Sequence, residues 1–220
     1  MAFLDFISCI HNKTQRNYVQ RVTDYDKAAC AKISKQFGKD YFDGDRQYGY
    51  GGYKYDGRWI PFTQKLIEHY GLKAGDKVLD IGCGKGFIVH DFEKNIPGLT
   101  ARGVDISDYA IENCMPEVKG KVQVANATKL PFGDHEFDLV VSINTLHNLR
   151  LPDLEKAFHE IQRVGKGKGF VVMDSYRTEE EKVNLLYWQV TCECFYTPDE
   201  WEWLFKKFGY TGDADFVCFE

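Results

Sequence analysis

A glycine-rich turn is the segment of this sequence whose residue types and spacing point most directly to chemistry. The apolar run 78–81 leads straight into Gly82-Cys83-Gly84-Lys85-Gly86, and helical periodicity resumes at Phe87. Glycine lets the main chain turn sharply and approach a ligand with no Cβ in the way. The N-terminus of the following helix offers N–H groups without intrahelical partners. A strand, this turn and a helix therefore predict a nucleotide-binding loop at the carboxyl end of a strand.

Two carboxylates accompany the turn. Asp80 lies at the end of the strand, where it can face a cationic amino group, and Asp105 ends the next strand, where it can accept both hydroxyls of a ribose. A dinucleotide fingerprint needs its third glycine at position 87, which is Phe87 here, and a pyrophosphate disfavours a neighbouring Asp80. Asp105 suits either cofactor class, but the other two features favour a cationic nucleoside over a dinucleotide.

Short apolar strands alternate with helices from Lys77 onwards. Predicted strands lie at 78–81, 99–104, 122–124, 137–143 and 169–173, with helices at 87–93, 109–115 and 154–164. This alternation predicts an α/β fold with a doubly wound, mostly parallel sheet and helices on both faces.

The residues before this alternation predict a cap. Residues 12–37 and 61–70 have helical periodicity, whereas residues 40–59 have none and are rich in Tyr, Gly and Asp. We therefore expect an N-terminal helical and loop cap over residues 1–70, preceding a core over residues 71–220 within one compact domain.

The C-terminal residues predict a helical insert after the fifth strand. Helical patterns at 179–191 and 198–208 precede a final strand at 210–219, which we expect to be an antiparallel edge strand or part of a hairpin. Tyr176 and Tyr187 belong to this region, where they are candidates for the wall of a substrate pocket. Tyr187 suits the core of an amphipathic helix equally well.

The segment 48–59 alternates Tyr and Gly, and it predicts a lid. Tyrosine offers a flat apolar ring with a polar tip, and glycine offers mobility, which suits a loop that closes over a ligand. Lys54 and Arg58 are candidates to meet a carboxylate or phosphate. A structural segment packed on the sheet edge is the alternative. The predicted substrate and lid residues here are Tyr48, Tyr50, Tyr53, Arg58 and Trp59.

His147 follows the fourth predicted strand, on the edge of the sheet where a substrate would bind. Its ordinary pKa suits proton transfer near neutral pH, so it is the candidate general base. A helix-start residue that only contacts the substrate is the alternative.

The ordered motifs of residues 77–174 together resemble those of class I methyltransferases that act on small molecules. These motifs are the 80–86 turn, Asp105, the Asn126-Ala127…Leu130-Pro131-Phe132 segment and the strand at 137–143. The resemblance implies S-adenosylmethionine as cofactor, with Asp80 near its amino group and Asp105 on its ribose. The implied cofactor residues are Asp80, Gly82, Cys83, Gly84, Asp105, Ile106, Asn126, Ala127 and Asn144.

One of these residues departs from the family. Asn126 stands where the family usually has Asp to meet the exocyclic amine of adenine. Its amide oxygen can accept the same hydrogen bond without charge assistance, which predicts a weaker contact.

The resemblance also implies an activity. We expect metal-free O-methylation of a small polar acceptor by an enzyme similar to bacterial methyltransferases of surface-carbohydrate or specialised-metabolite pathways. N-methylation is the nearest alternative. An NAD(P)-dependent oxidoreductase and a non-catalytic cofactor-binding protein are the alternatives from other classes.

The composition of the chain limits which kinds of binding partner we expect. A net charge of −5 disfavours a nucleic-acid substrate, and no run approaches the ~20 apolar residues that span a bilayer. The seven scattered cysteines favour reduced thiols in a cytoplasmic protein, and neither Cys192 nor Cys194 has the neighbours of a metal site. A homodimer stays open, since the aromatic N-terminal region could cap its own pocket or a neighbour's.

Overall fold

The computed structural model describes residues 1–11 and 16–220. The described residues form one six-stranded sheet in the order β3-β2-β1-β4-β5-β6, with every pair of neighbours parallel. The strands are β1 (Lys77–Ile81), β2 (Thr100–Asp105), β3 (Val122–Val124), β4 (Leu139–Ile143), β5 (Gly169–Ser175) and β6 (Asp213–Cys218). The predicted doubly wound, mostly parallel α/β fold is confirmed.

The strand order reverses between β1 and β4, and this reversal positions the functional site. The chain first moves outward from β1 to β3 and then returns to β4 on the other side of β1. Crossover connections diverge at such a point and leave a crevice outside the carboxyl ends of the strands. Asp80 of β1 lies between Gly103 and Val141 of the neighbouring strands, at the base of that crevice.

Helices cover both faces of the sheet. They are α1 (Ser8–His11), α2 (Tyr18–Thr23), α3 (Lys27–Ser34), α4 (Lys39–Asp43), α5 (Ile60–Tyr70), α6 (Phe87–Asn95), α7 (Asp108–Glu112), α8 (Leu151–Val164), α9 (Glu179–Trp188) and α10 (Pro198–Lys207). Phe62 and Phe92 are fully buried in one of the two core clusters, and Phe158 and Trp201 are fully buried in the other. Because both faces are covered, all residues of β4 and β5 are buried, which explains their continuous apolar character.

The prediction of an antiparallel final strand is wrong. β6 runs parallel to β5, with Phe170 opposite Asp213 at one end and Ser175 opposite Cys218 at the other. Helix α10 carries the chain back along the sheet before β6 begins, and such a long crossover produces a parallel pair. The sequence pattern showed strand character but did not show which end of the sheet the preceding helix reached.

The first residues of the chain cover the exposed edge of β6. Phe3 forms a parallel bridge to Ala214, and the Asp215 carboxylate accepts hydrogen bonds from the main-chain N–H groups of Phe6 and Ile7. These contacts satisfy donors and acceptors that an uncovered edge strand would leave open.

The predicted cap differs from the structure in two details. The single helix predicted over 12–37 is two helices, α2 and α3, because Asp26 accepts the Ala29 N–H and starts a new helix. Residues 12–15 of that prediction lie outside the described residues. The loop predicted over 40–59 begins within α4.

In the described part of the chain, no helix is long and apolar enough to cross a membrane. All seven cysteines lie in that part, and none forms a disulfide.

Candidate functional site

A cleft of about 170 Å³ lies at the carboxyl ends of β1, β2 and β4, and we call it the nucleotide cleft. Seven of the predicted cofactor residues line it: Gly82, Gly84, Asp105, Ile106, Asn126, Ala127 and Asn144. Asp80 does not line the cleft but directly precedes Ile81, which does. The Cys83 side chain points away, since a Cβ added to Gly103 would lie 2.7 Å from the Cys83 sulfur. Cys83 therefore offers the cleft only its main chain.

The turn that forms the floor of the cleft requires glycine. Gly82 and Gly84 have φ values of 81° and 53°, in the left-handed region that side chains disfavour. A Cβ on Gly82 would lie 2.0 Å from the Thr145 hydroxyl oxygen. The main chain of the turn is thus held close against the β4 loop, without side chains in the cleft.

Asp105 connects the turn to the second strand. Its Oδ2 accepts the Gly84 N–H at 2.8 Å and its Oδ1 accepts the Ser107 N–H at 2.9 Å. A carboxylate oxygen has a further lone pair after one such bond, so Asp105 can still accept two ribose hydroxyls. Burial raises the pKa of Asp105.

Asp80 is a buried carboxyl group with an unsatisfied oxygen. It is 2% exposed, and no described residue donates a hydrogen bond to its Oδ2. Burial, and after it the charge of the neighbouring Asp105, raise the pKa of Asp80 to about 8. A cation that enters beside it would favour the ionised form.

Two asparagines at the other side of the cleft also have a buried oxygen without a hydrogen-bond donor. The amide oxygens of Asn144 and Asn148 are buried, and no described residue donates to either. Asn144 also has a φ of 52°, which is uncommon for a residue with a side chain and marks a held conformation.

These observations test whether S-adenosylmethionine fits. Its amino and hydroxyl groups are donors, and its charge is positive. The cleft is lined by the Asp105 carboxylate and by unsatisfied amide oxygens, and the unsatisfied Asp80 carboxyl group precedes the lining residue Ile81. The residues present therefore fit the cofactor, with Asp80 and Asp105 as its acidic partners.

The predicted adenine contact of Asn126 is not tested by this geometry. Its Oδ1 already accepts two hydrogen bonds from Thr128, each 2.9 Å long, one from the N–H and one from the hydroxyl. The residue lines the cleft, and its role toward adenine stays a prediction.

Five aromatic rings line the cleft, and we call the four that lie between residues 41 and 53 the aromatic cover: Tyr41, Phe42, Tyr50 and Tyr53. The Tyr50 and Tyr53 ring centroids are 4.2 Å apart, and Tyr53 stacks on Phe87 of α6 at 4.5 Å. Tyr53 also lies against the turn, since a Cβ on Gly84 would be 3.0 Å from its ring.

An ion pair joins the cover to the glycine turn. Lys85 donates to both oxygens of Asp43, at 2.8 and 2.6 Å, and the Tyr109 hydroxyl donates to the same carboxylate at 2.7 Å. Asp43 is the last residue of α4, directly after Tyr41 and Phe42. We call this contact the Asp43 latch.

A second cavity of about 280 Å³ adjoins the nucleotide cleft. Five cationic side chains and two carboxylates line it, so we call it the basic cavity. The two spaces share Tyr41, Tyr50, Tyr53 and Asn144 as common walls. Two ligands, one in each space, would therefore come into contact beside Asn144.

The basic cavity brings together five of the residues predicted for substrate and catalysis: Tyr50, Tyr53, Arg58, Trp59 and His147. It does not include Tyr48, Tyr176 or Tyr187. Trp188 lines it instead of its neighbour Tyr187, because one step along a helix turns a side chain by about 100°. The Arg58 guanidinium lines the cavity but donates through Nε and Nη2 to Asp56, its close neighbour.

His147 is held in one tautomer by its surroundings. Its Nδ1 accepts the Asp174 main-chain N–H at 3.1 Å, so in a neutral ring Nε2 carries the proton. Nε2 lies 3.4 Å from Asp174 Oδ2, which also accepts from Gln189. Burial lowers the pKa of His147 and raises that of Asp174. The imidazole therefore has no free lone pair that could accept a proton from a substrate. The Asp174 carboxylate has one.

Cys192 completes a buried group with His147 and Asp174 whose ligand atoms lie within 4.8 Å of one another. The hydrogen bonding of the group does not suit a metal ion. Nε2 of His147 bears a proton while Nδ1 is occupied, and a metal ligand needs a free nitrogen lone pair. Burial also raises the pKa of the Cys192 thiol, which opposes the thiolate form that binds metals.

Sequence reasoning missed several residues that face the basic cavity, among them Asp174, Gln189, Arg16 and Arg46. Asp174 had a detectable signal, because it lies near the carboxyl end of β5, next to β4 in the sheet. Arg46 lies in the stretch 40–59, which has no periodicity to indicate its position. Arg16 lies within the predicted helix 12–37, but the helical pattern does not show that it faces the cavity.

Known proteins share this architecture. The family described as methyltransferase domain matches residues 79–173. An uncharacterized methyltransferase of Synechocystis is 33% identical over 129 residues, which cover 58% of each chain. The chain spans between 28% and 63% of the length of the first three curated relatives it matches.

Solved structures show the same fold at lower identity. The Bacillus subtilis YcgJ protein has a TM-score of 0.54 at 24% identity, over 66% of each chain. Geranyl diphosphate C-methyltransferase from Streptomyces coelicolor has a TM-score of 0.54 at 18% identity, over 66% of this chain and 59% of that one. The matching domain and the acidic glycine turn support a class I S-adenosylmethionine-dependent methyltransferase.

Proposed function

We propose that this protein transfers a methyl group from S-adenosylmethionine to the oxygen of a small molecule held in the basic cavity. The observation that carries this proposal is the junction of the two spaces. The nucleotide cleft has acidic and amide oxygens for the cofactor, and the basic cavity adjoins it across Asn144 and the aromatic cover.

The protein's contribution to such a reaction is mainly positional. The cofactor supplies a methyl group that is already activated on a sulfonium. Asp80, Asp105 and the glycine turn hold one partner, while the aromatic cover separates the reacting atoms from water. Holding two reactants in line can contribute roughly 7–11 kcal/mol to lowering the barrier.

The arrangement of Asp174 favours O-methylation. A hydroxyl loses its proton when its oxygen is methylated, and Asp174 is placed to take that proton. Burial raises the pKa of this carboxyl, which makes it a stronger base than an exposed carboxylate. His147 is then a positioning residue, because its Nε2–H orients and stabilises the Asp174 carboxylate.

Two measurements test the proposal in sequence. Calorimetry with S-adenosylmethionine and its demethylated product measures cofactor binding, with Asp105→Ala as the weakened variant. Mass spectrometry then screens hydroxyl and amine acceptors for a gain of one methyl group. Binding and a methylated hydroxyl support the proposal. Failure of wild type to bind either cofactor form would contradict it, and transfer only to amines would replace oxygen with nitrogen.

A further inference from the structure

The basic cavity has an excess of positive charge in an acidic protein. Its lining contains the cations Arg16, Arg21, Arg46, Lys54 and Arg58 and the carboxylates Asp56 and Asp174. The chain as a whole has a net charge of −5. Asp56 is bound to Arg58 and Asp174 to Gln189 and His147. In the described part of the chain, neither acid forms an ion pair with Arg21 or Arg46.

Three guanidinium groups gather around one indole. The guanidinium carbons of Arg21, Arg46 and Arg16 lie 4.5, 4.9 and 5.3 Å from the centre of the Trp188 ring. Among the described residues, neither Arg21 nor Arg46 forms an ion pair with a carboxylate. Burial and the neighbouring Arg16 lower the pKa of Arg46, and burial and Arg46 lower that of Arg21. The group repels itself, and an anion would relieve that repulsion.

Arg21 and Arg46 differ in how many of their N–H groups already have an acceptor. Arg21 donates through three nitrogens to the main-chain oxygens of Trp188, Arg46 and Gln47, so it is a structural residue. Arg46 donates through Nη1 to the Gly49 oxygen, and no described residue accepts from its other nitrogens. Its remaining N–H groups are arranged for a planar, two-oxygen partner such as a carboxylate or phosphate.

We infer that the acceptor is a small oxyanion, either a carboxylate or a phosphate ester, held by Arg46 beside Trp188. This inference rests on the proposed function. The anionic end binds at Trp188, and the hydroxyl to be methylated lies toward Asp174 and Asn144, where the cavity meets the nucleotide cleft. The cavity has a volume of about 280 Å³, which suits a small molecule rather than a polymer.

Binding of simple probes tests the inference on wild-type protein saturated with the demethylated cofactor. Phenyl phosphate and benzoate distinguish the two oxyanions, and benzyl alcohol is the neutral counterpart. We expect one or both anions to bind, with an affinity that falls as salt rises, and benzyl alcohol to bind at least tenfold more weakly. Equal binding of benzyl alcohol would overturn the inference.

Variants locate the anion. Arg46→Gln should weaken anion binding about tenfold, which corresponds to about 1.4 kcal/mol, and Arg46→Lys should recover part of it. Lys156→Gln removes the same charge from an exposed ion pair with Asp153 and is the matched control. Circular dichroism checks that each variant is folded. Unchanged anion affinity in folded Arg46→Gln rules out this site.

Two further outcomes distinguish failure of the oxyanion inference from failure of the proposed function. Loss of cofactor binding with anion binding intact contradicts the proposed function alone, whereas cofactor binding without anion binding contradicts only the oxyanion. An oligoribonucleotide that binds more tightly than phenyl phosphate, with the same Arg46 dependence, would overturn the small-molecule assignment.

Discussion

The nucleotide cleft and the basic cavity adjoin, but they are built in opposite ways. The cleft has buried acids and orphaned amide oxygens, and its floor is a continuous turn between β1 and α6. The cavity has an excess of cations, and its walls come from segments near both ends of the chain. The difference in charge matches a cationic cofactor on one side and an anionic acceptor on the other.

The difference also concerns how each region depends on the fold. The cleft needs only the sheet's reversal point and one glycine turn, which the strand order supplies. The cavity needs α2, α9 and the residues around Arg46 to be packed together, as the bonds from Arg21 to Trp188 and Arg46 show. Variants in the two regions should therefore separate cofactor binding from acceptor chemistry.

The largest expected effect is on the acceptor side, at Asp174. Asp174→Asn should lower kcat about 10²- to 10⁴-fold, as expected for loss of a general base, while affinity for the demethylated cofactor stays close to wild type. In wild type the rate should rise with pH through the raised pKa of Asp174, and the variant should lose that rise. A pH–rate profile on the acceptor from the methylation screen measures both.

Asp153→Asn is the matched control, because Asp153 is an exposed acid paired with Lys156. If Asp174→Asn keeps wild-type kcat while folded, proton transfer to this carboxylate is not part of the reaction. If it loses cofactor binding as well, the two regions are not separable at this residue.

The second effect is on the cofactor side, at Asp105. Asp105→Ala should weaken binding of the demethylated cofactor about hundredfold, because charge-assisted hydrogen bonds contribute about 1.5–3 kcal/mol each. The change also leaves the Gly84 and Ser107 N–H groups without their acceptor. Calorimetry measures the affinity, and Glu117→Ala removes an exposed acid as control. A loss of anion-probe binding of the same size would show that the cleft and the cavity are one cooperative unit.

The same contrast explains what the sequence could predict. The glycine turn, Asp105 and the α/β alternation are local patterns, since a strand, its turn and its helix lie within about twenty residues. Their predicted positions were therefore close to the observed ones. The direction of β6 could not be predicted from a local pattern, because it depends on which end of the sheet the chain has reached after α10.

The basic cavity shows the limit most clearly. Whether Tyr187 or Trp188 faces inward depends on the rotation of α9 against α2, and no pattern within α9 fixes that rotation. Arg21 and Arg46 meet because α2 packs against α9, although they are distant from Trp188 in sequence. His147 was predicted as a site residue and lines the basic cavity, but its tautomer depends on a main-chain N–H of β5.

A smaller effect is expected at Asp80, where function opposes stability. The pKa of this carboxyl is about 8 in the folded protein and 3.8 as its ordinary value. Between these values the unfolded chain releases the proton that the folded protein retains, so stability falls as pH rises. Asp80→Asn cannot ionise. It should raise the Tm of the cofactor-free protein at pH 8 and should remove this residue's share of the pH slope.

The cost of that variant should appear in cofactor binding, with about tenfold lower affinity for S-adenosylmethionine because a carboxylate partner is lost. Thermal unfolding at pH 5 and pH 8 measures the first effect, and calorimetry measures the second. In wild type near pH 7, cofactor binding should release a proton from Asp80, which calorimetry in buffers of different ionisation enthalpy detects. A Tm gain at pH 5 equal to that at pH 8 would contradict the ionisation argument.

The smallest effect is expected at the Asp43 latch, which belongs to neither region but joins the cover to the cleft. Asp43→Asn weakens the 2.6 Å ion pair with Lys85. Partly exposed pairs contribute about 0.2–1 kcal/mol, so the demethylated cofactor should dissociate roughly two- to fivefold faster. Glu93→Gln is the control, because it removes a 2.6 Å pair with Lys121 on a different part of the surface. Stopped-flow tryptophan fluorescence measures the dissociation rate. Equal rates in Asp43→Asn and wild type would mean that the aromatic rings alone hold the cover against the turn, and that the cover does not control cofactor release through this ion pair.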